Sequence, residues 1–177
     1  MIEDPSTLPK RKHYRLKEFD YSQPGSYFVT LCTKNRSQLF GTLGVGLENN
    51  YVVGRGDLTP PKIQLSSIGK IVENFIESIS KNYENVSIDK YVIMPNHIHL
   101  LLTLTTISTV SGDSAASMPS LHRIIRAFKS LVTRSVGQTI WQVSYYDHII
   151  RNDSDYQKVW DYIDVNPDKW QEDKHFT

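Results

Sequence analysis

The segment from residue 87 to residue 104 constrains the fold more than any other part of the chain. It contains two runs with the composition of β-strands, SIDKYVIM (87–94) and HIHLLLTL (97–104), which are separated only by Pro95 and Asn96. Proline lacks the amide hydrogen that strand pairing uses, and asparagine favours turns, so this pair interrupts the strand and reverses the chain. The sequence therefore predicts an antiparallel hairpin.

Strand-like and helical segments alternate along the rest of the chain. SYFVTLCT (26–33) and TIWQVSYYDHII (139–150) are rich in β-branched and aromatic residues, which predicts strands. Three other segments have apolar residues at helical spacing and predict amphipathic helices. The first helix is capped by Ser66 or Ser67 and ends near residue 82, the second covers 121–136, and the third starts in the cluster Asn152, Asp153 and Ser154 and ends before Pro167.

The order of these elements predicts a single α+β domain over residues 1–177. Strand, helix, paired strands, helix, strand and helix describe a mostly antiparallel central sheet with helices packed on one face. A polar N-terminal arm covers about residues 1–20. Residues 41–61 contain five glycines and are interpreted as an inserted loop or hairpin.

Composition limits the possible partners and sites. Lys and Arg number 20 against 19 for Asp and Glu, so any surface that binds nucleic acid must be local. Cys32 is the only cysteine, which excludes an intramolecular disulfide and a cysteine-based zinc site. No apolar run approaches the length of a bilayer span, and we expect a soluble cytoplasmic protein without membrane association.

Two histidines lie one residue apart in the predicted strand 97–104. Side chains two residues apart in a strand point the same way, so His97 and His99 share a face with Leu101. Two imidazoles on one face are suited to bind one divalent cation through their neutral ring nitrogens. The alternative is a hydrogen-bonded and inert pair at the edge of a sheet.

The last helix provides a candidate nucleophile. Tyr162 lies away from the centre of the apolar stripe, and Asn166, one turn later, lies on the same side. A tyrosine beside a metal ion can attack a phosphate and form a covalent phosphotyrosine. The chain has ten tyrosines, most of which are expected to be packing residues, and Tyr145, Tyr146 and Tyr156 are rival candidates.

The second predicted helix has a basic outer face. Its cations are spaced at helical intervals with no acidic residue between them, an arrangement that can follow a sugar-phosphate backbone. An ordinary solvated helix surface explains the same pattern. The candidate DNA contacts are Arg123, Arg126, Lys129 and Arg134.

Several segments in a specific order resemble the IS200-like superfamily of single-tyrosine HUH transposases, and most closely its REP-associated tyrosine transposases. They run from SYFVTLCTKNR through IQLSSIGKIV, YVIMPNHIHLLL, LHRIIRAFKS and IWQVSYYDHIIRN to DYQKVWDYIDVNP, nearly the whole chain. The resemblance implies a ferredoxin-like fold, metal ligands at His97 and His99, and a nucleophile at Tyr162. It implies a third ligand at Asn166, where some relatives have Gln or His, and supporting roles for His148 and Arg151.

The implied reaction is cleavage and transfer of single-stranded or hairpin DNA with Mg²⁺ or Mn²⁺ as cofactor. Tyr162 would form a 5′-phosphotyrosine and release a 3′-hydroxyl, in a monomer or a homodimer. Two alternatives remain at this point. The first is a host-adapted, non-catalytic protein of the same fold that binds hairpin DNA, and the second is a metal phosphoesterase that uses water in place of tyrosine.

Overall fold

The predicted hairpin lies within a four-stranded antiparallel sheet. A computed structural model describes residues 19–43, 63–106, 119–167 and 170. In chain order the elements are β1 (Gly25–Cys32), β2 (Gly41–Leu43), β3 (Ile63–Leu65), α1 (Ser67–Asn82), β4 (Val86–Met94), β5 (His97–Leu104), α2 (Leu121–Val136), β6 (Tyr146–Ile149) and α3 (Asp153–Val165), with a 3₁₀ turn at Lys34–Arg36. The main sheet has the order β4-β5-β1-β6, and β2 pairs with β3 in a separate two-stranded sheet.

The order of elements in the main sheet confirms the ferredoxin-like fold. Strand, helix, two strands, helix and strand follow one another as β1, α1, β4, β5, α2 and β6, and the two strands of the hairpin are neighbours. α1 and α2 cover one face of the sheet. Their buried residues Val72, Ile76, Ile125 and Phe128 pack in one cluster with inward-facing strand residues such as Leu100.

The third helix lies on the opposite face, which differs from the predicted one-sided arrangement. Ile163 of α3 belongs to a second cluster with Phe28, Val92 and Leu101, which point away from α1 and α2. The reason is visible in β5, where every residue from His97 to Leu102 is buried. A strand that is buried on both faces loses the alternation of polar and apolar residues that identifies a one-sided sheet.

The helix boundaries follow from the predicted capping residues. The Ser66 hydroxyl accepts a hydrogen bond from the Gly69 amide at 3.0 Å, and the Asn152 side chain accepts one from the Asp155 amide at 2.9 Å. Gly137 ends α2 with a left-handed φ of 79°. These contacts confirm the helix starts that the sequence predicts.

The predicted strand over residues 139–150 is too long. Only β6 pairs with β1, and Trp141 forms an isolated bridge to Thr33. Lys129 explains part of the difference in strand length, because its ammonium group donates hydrogen bonds to the backbone carbonyls of Gln142 at 2.6 Å and Val143 at 3.2 Å. Those carbonyls are thus bonded to a side chain and not to a neighbouring strand.

Two predicted segments lie mainly outside the described residues. They are the N-terminal arm, of which residues 1–18 are outside, and the glycine-rich insertion, of which residues 44–61 are outside. Residues 41–43 at the start of that insertion form β2. Within the described ranges, no helix is both long enough and apolar enough to cross a bilayer.

Candidate active site

His97 and His99 form a buried pair at the centre of the sheet. β5 lies between β4 and β1, so these histidines are not at a sheet edge, and they are 0% and 1% exposed. Their Nε2 atoms are 3.0 Å apart. The period of two therefore brings both rings to one point, on the face that α3 covers.

The other ring nitrogens of the pair have their own partners. His97 Nδ1 lies 2.8 Å from Asn96 Oδ1, and His99 Nδ1 lies 2.9 Å from Thr30 Oγ1. The side-chain oxygen of Asn96 can only accept, so this contact favours the tautomer of His97 that has its proton on Nδ1 and a lone pair on Nε2. Phe28 stacks on the His99 ring with 5.2 Å between centroids and limits its movement.

The geometry of the pair fits a shared metal ion. Two ligand nitrogens that bind one ion at about 2.1 Å and at right angles lie about 3.0 Å apart, which is close to the observed Nε2 separation. Partners on Nδ1 that fix the tautomer are also typical of histidines that bind metals. Among the residues that the structure describes, no group of three or more His, Cys, Asp or Glu side chains is arranged to bind a metal. Side-chain amides, which are not among these residue types, are a further class of metal ligand.

Asn166 is the candidate for a third ligand. It caps α3 at its C-terminal end, one turn after Tyr162, and is 3% exposed. An amide oxygen is a ligand suited to Mg²⁺ and related cations. Trp170 lies beside the same site, with its ring centroid 5.8 Å from that of His97.

Tyr162 reaches the histidine pair from α3. Its hydroxyl lies 3.4 Å from His99 Nε2, at the long limit of a hydrogen bond, and the two rings meet edge to face with 5.2 Å between centroids. The edge of Phe28 supports the tyrosine ring at 5.8 Å. Tyr162 is 37% exposed, so a substrate can reach it from solvent.

The three rival tyrosines have other surroundings. Tyr145 is hydrogen-bonded to His122, and the pKa of Tyr156 is raised to about 12 by burial, the charge of Asp89 and its hydrogen bond to that carboxylate. Tyr146 is opposite Thr30 in the register of β6 and β1 and is 44% exposed. Tyr146 thus shares the face of the histidine pair and is the useful comparison for Tyr162.

His148 and Arg151 lie at the other end of α3. His148 Nε2 is 2.9 Å from Asp155 Oδ2, and the Arg151 amide donates to the same oxygen at 3.2 Å. Burial raises the pKa of Asp155, and the hydrogen bonds from His148 and the Arg151 amide lower it. The lowering effects together are larger, so the pKa of Asp155 is below its usual value. The structure places both residues where they fix the start of the helix that carries Tyr162.

The basic side chains of α2 are not part of this cluster. α2 packs on the sheet face opposite the histidines, and Arg123, Arg126 and Arg134 project from its outer side. Lys129 differs from them because it bonds to the chain before β6. Any DNA contact by these residues is therefore separated from Tyr162 by the thickness of the sheet.

Thr30 and Phe28 are site residues that the sequence did not reveal. Both lie in β1, which pairs with β5 so that Thr30 is opposite His99. A strand pairing between residues 69 positions apart leaves no local pattern. Asn96 had a local signal, because it directly precedes His97 in the predicted turn.

Comparisons with known proteins agree with the motifs. The family model described as transposase IS200-like matches residues 61–166. An uncharacterized protein of Haemophilus influenzae is 31% identical over 94% of this chain and 93% of its own length. The REP-associated tyrosine transposase of Escherichia coli is 35% identical over 46% of this chain and 44% of its own length.

A solved structure shares the fold. It is that of a REP-associated tyrosine transposase bound to a REP hairpin, and it has a TM-score of 0.56 and 25% sequence identity. The match covers 91% of this chain and 75% of the other. The similarity thus extends well beyond the segment that contains the histidines and Tyr162.

Proposed function

Because the chain belongs to the IS200-like transposase family, we propose that it cuts and rejoins single-stranded DNA through Tyr162. The observation that carries the proposal is the approach of the Tyr162 hydroxyl to within 3.4 Å of His99 Nε2, in a site that also contains His97. A nucleophile that solvent can reach, beside two nitrogen ligands for a metal ion, is an arrangement that supports phosphoryl transfer to tyrosine.

The proposed reaction replaces one phosphodiester bond with another. The Tyr162 hydroxyl loses its proton to solvent as its oxygen attacks the phosphorus in line, the bond from phosphorus to the 3′ oxygen breaks, and the released oxygen takes one proton to become a 3′-hydroxyl. The products are a 5′-phosphotyrosine and a free 3′ end. The number of phosphate ester bonds is unchanged, so the 3′-hydroxyl of the same or another strand can reverse the step without a nucleotide cofactor.

The protein residues have separate tasks in this proposal. Thr30 and Asn96 orient the two imidazoles, and Phe28 supports the rings of both His99 and Tyr162. Mg²⁺ or Mn²⁺ bound by His97, His99 and Asn166 would withdraw electron density from the scissile phosphate.

We propose a DNA hairpin next to the cleavage site as the recognised substrate, by analogy with the related transposase that is bound to a REP hairpin. Arg123, Arg126 and Arg134 are the proposed phosphate contacts on α2. They lie on the far face of the sheet from Tyr162, so the DNA must pass around a sheet edge to touch both. The logarithm of the binding constant falls linearly with the logarithm of the salt concentration. Changing one phosphate-contacting arginine to Gln should reduce the steepness of that slope by about 0.9.

One protomer contains the whole set of residues. Tyr162 and the histidines belong to the same chain and already lie within reach of one another. We therefore propose that a monomer is sufficient for cleavage, with the tyrosine acting in cis.

The test uses labelled single-stranded DNA with hairpins from the flanks of the gene, incubated with Mn²⁺ or EDTA and separated on a denaturing gel. Wild type is compared with Tyr162→Phe, and Tyr146→Phe is the matched control because Tyr146 is exposed on the same sheet face. We expect a metal-dependent covalent adduct with wild type and Tyr146→Phe and none with Tyr162→Phe.

The alternatives give different results when the same samples are also run on a native gel. A protein that only binds hairpin DNA would retain the hairpin in a native gel and form no adduct with any variant. A metal phosphoesterase would cut the DNA without an adduct, and cutting would survive in Tyr162→Phe. Either result would contradict the proposed role of Tyr162.

A further inference from the structure

A lysine is buried under the helix that carries Tyr162. The side chain of Lys90 in β4 is 0% exposed, and its ammonium group lies 2.5 Å from Asp164 Oδ1. The same group lies 4.0 Å from the centroid of the Trp160 ring. Asp164 and Trp160 are both in α3, two residues to either side of Tyr162.

A β-bulge brings Lys90 to this face of the sheet. Ile88 packs towards α1 and α2, and regular alternation would turn Lys90 the same way. The register shifts between Ile88 and Lys90, so Asp89 is the extra residue and Lys90 pairs with Leu101 of the opposite face. Asp89 also faces α3, because it accepts a hydrogen bond from Thr103 at 2.5 Å and one from Tyr156.

The ion pair contributes little to stability compared with an apolar pair of the same size. Removing a charged ammonium group from water costs several kcal/mol, which the attraction to one carboxylate and one aromatic ring roughly offsets. Apolar residues at both positions 90 and 164 would fill similar space without this cost, whereas Lys90→Met alone leaves the Asp164 carboxylate without its partner and weakens the contact between α3 and β4. What the buried ion pair adds is a fixed position, because Asp164 must stay within reach of a lysine that has no access to solvent.

The orientation in question is the rotation of α3 about its axis. Ile163 points into the sheet, and successive residues in a helix are about 100° apart, so Tyr162 and Asp164 project to opposite sides of Ile163. Asp164 meets Lys90 over β4, and Tyr162 meets His99 over β5. A contact that fixes the Asp164 side therefore also fixes the Tyr162 side.

We propose that Lys90 is a positioning residue that sets the rotation of α3 and so holds the Tyr162 hydroxyl against the histidine pair. The proposal rests on the proposed function for its effect on cleavage. Its structural part, the anchoring of α3 by Lys90, can be measured without any reaction.

The test compares Lys90→Met with Lys158→Met, the same change at an exposed position of α3. Asp164→Asn is a second variant that removes the other charge of the pair. Two quantities are measured: the rate of adduct formation at saturating hairpin DNA and Mn²⁺, and the affinity for the hairpin. For Lys90→Met and Asp164→Asn we expect a rate at least tenfold lower with affinity within twofold of wild type, and for Lys158→Met no change in either.

Hydrogen exchange of the α3 amides gives the second readout. We expect at least tenfold faster exchange over Asp153–Val165 in Lys90→Met, with exchange in α1 unchanged. Unchanged exchange in α3, or a loss of affinity equal to the loss of rate, would overturn the proposal. If wild type and Lys158→Met form no adduct, the proposed function fails, and the exchange in α3 still decides whether Lys90 anchors the helix.

Discussion

Thr30 offers the most direct test of how the histidine pair is organised. Its hydroxyl is 2.9 Å from His99 Nδ1, and both residues are buried. Thr30→Val keeps the shape of the side chain and removes this hydrogen bond. His99 then loses the contact that holds its ring with Nε2 directed at His97.

Two magnitudes follow from the geometry. Loss of a partner on the second nitrogen of a histidine ligand typically lowers metal affinity or activity 10- to 100-fold, which corresponds to about 1.4–2.8 kcal/mol. Loss of this buried hydrogen bond also destabilises the fold by about 1–3 kcal/mol. For a domain of this size that is a fall in Tm of roughly 3–9 °C.

The assay is a Mn²⁺ titration of adduct formation at a temperature where both proteins are folded. We expect the Mn²⁺ concentration for half-maximal rate to rise 10- to 100-fold in Thr30→Val. Thr42→Val makes the same change at an exposed position of β2 and should leave the titration unchanged. A midpoint for Thr30→Val within twofold of wild type would refute the reasoning, because the hydroxyl would then have no role in orienting His99.

Three further predictions test the site and the fold. A mixture of Tyr162→Phe with His99→Ala should form no adduct, since both residues must act in the same chain, and adduct formation on a gel would show that α3 is exchanged between subunits. Gly69→Ala adds helix propensity of about 1 kcal/mol, yet it should lower the Tm in a thermal melt, because the new Cβ would overlap the Phe40 carbonyl oxygen. Asp155→Asn should lower the Tm at pH 5, because the pKa of Asp155 is lower in the folded than in the unfolded chain and its ionised form therefore stabilises the fold. This stability is lost as the pH falls through the folded pKa, so the substitution should have no effect on the Tm at a pH below both the folded and the unfolded pKa. Equal effects at both pH values would exclude an ionised Asp155 as the cause.

Local patterns predicted the elements that depend on neighbouring residues. β5 and α2 have the predicted boundaries, because Pro95 and Asn96 interrupt the strand and Ser120 and Gly137 cap the helix. The placement of His97 and His99 on one face needed only the period of a strand. The roles of these residues remain predictions that the experiments above test.

Long-range contacts account for what the sequence did not reveal. Thr30 reaches His99 only through the register of β1 against β5. Regular alternation would place Lys90 on the same face as Ile88, and the bulge that turns it to the other face depends on pairing with β5. The side of the sheet that α3 covers depends on the same pairing, since both faces of β5 are apolar enough to be covered.

The bulge in β4 also affects how the protein meets other molecules. β4 is at one end of the main sheet, and within the described ranges it pairs only with β5. A regular strand at such an end offers its unpaired amides and carbonyls to any passing chain and can start aggregation. An irregularity and an inward-pointing lysine are two devices that prevent this pairing. As far as the described residues define this end of the sheet, the bulge at Asp89 thus gives it a shape that a second strand cannot easily match, which disfavours aggregation through β4.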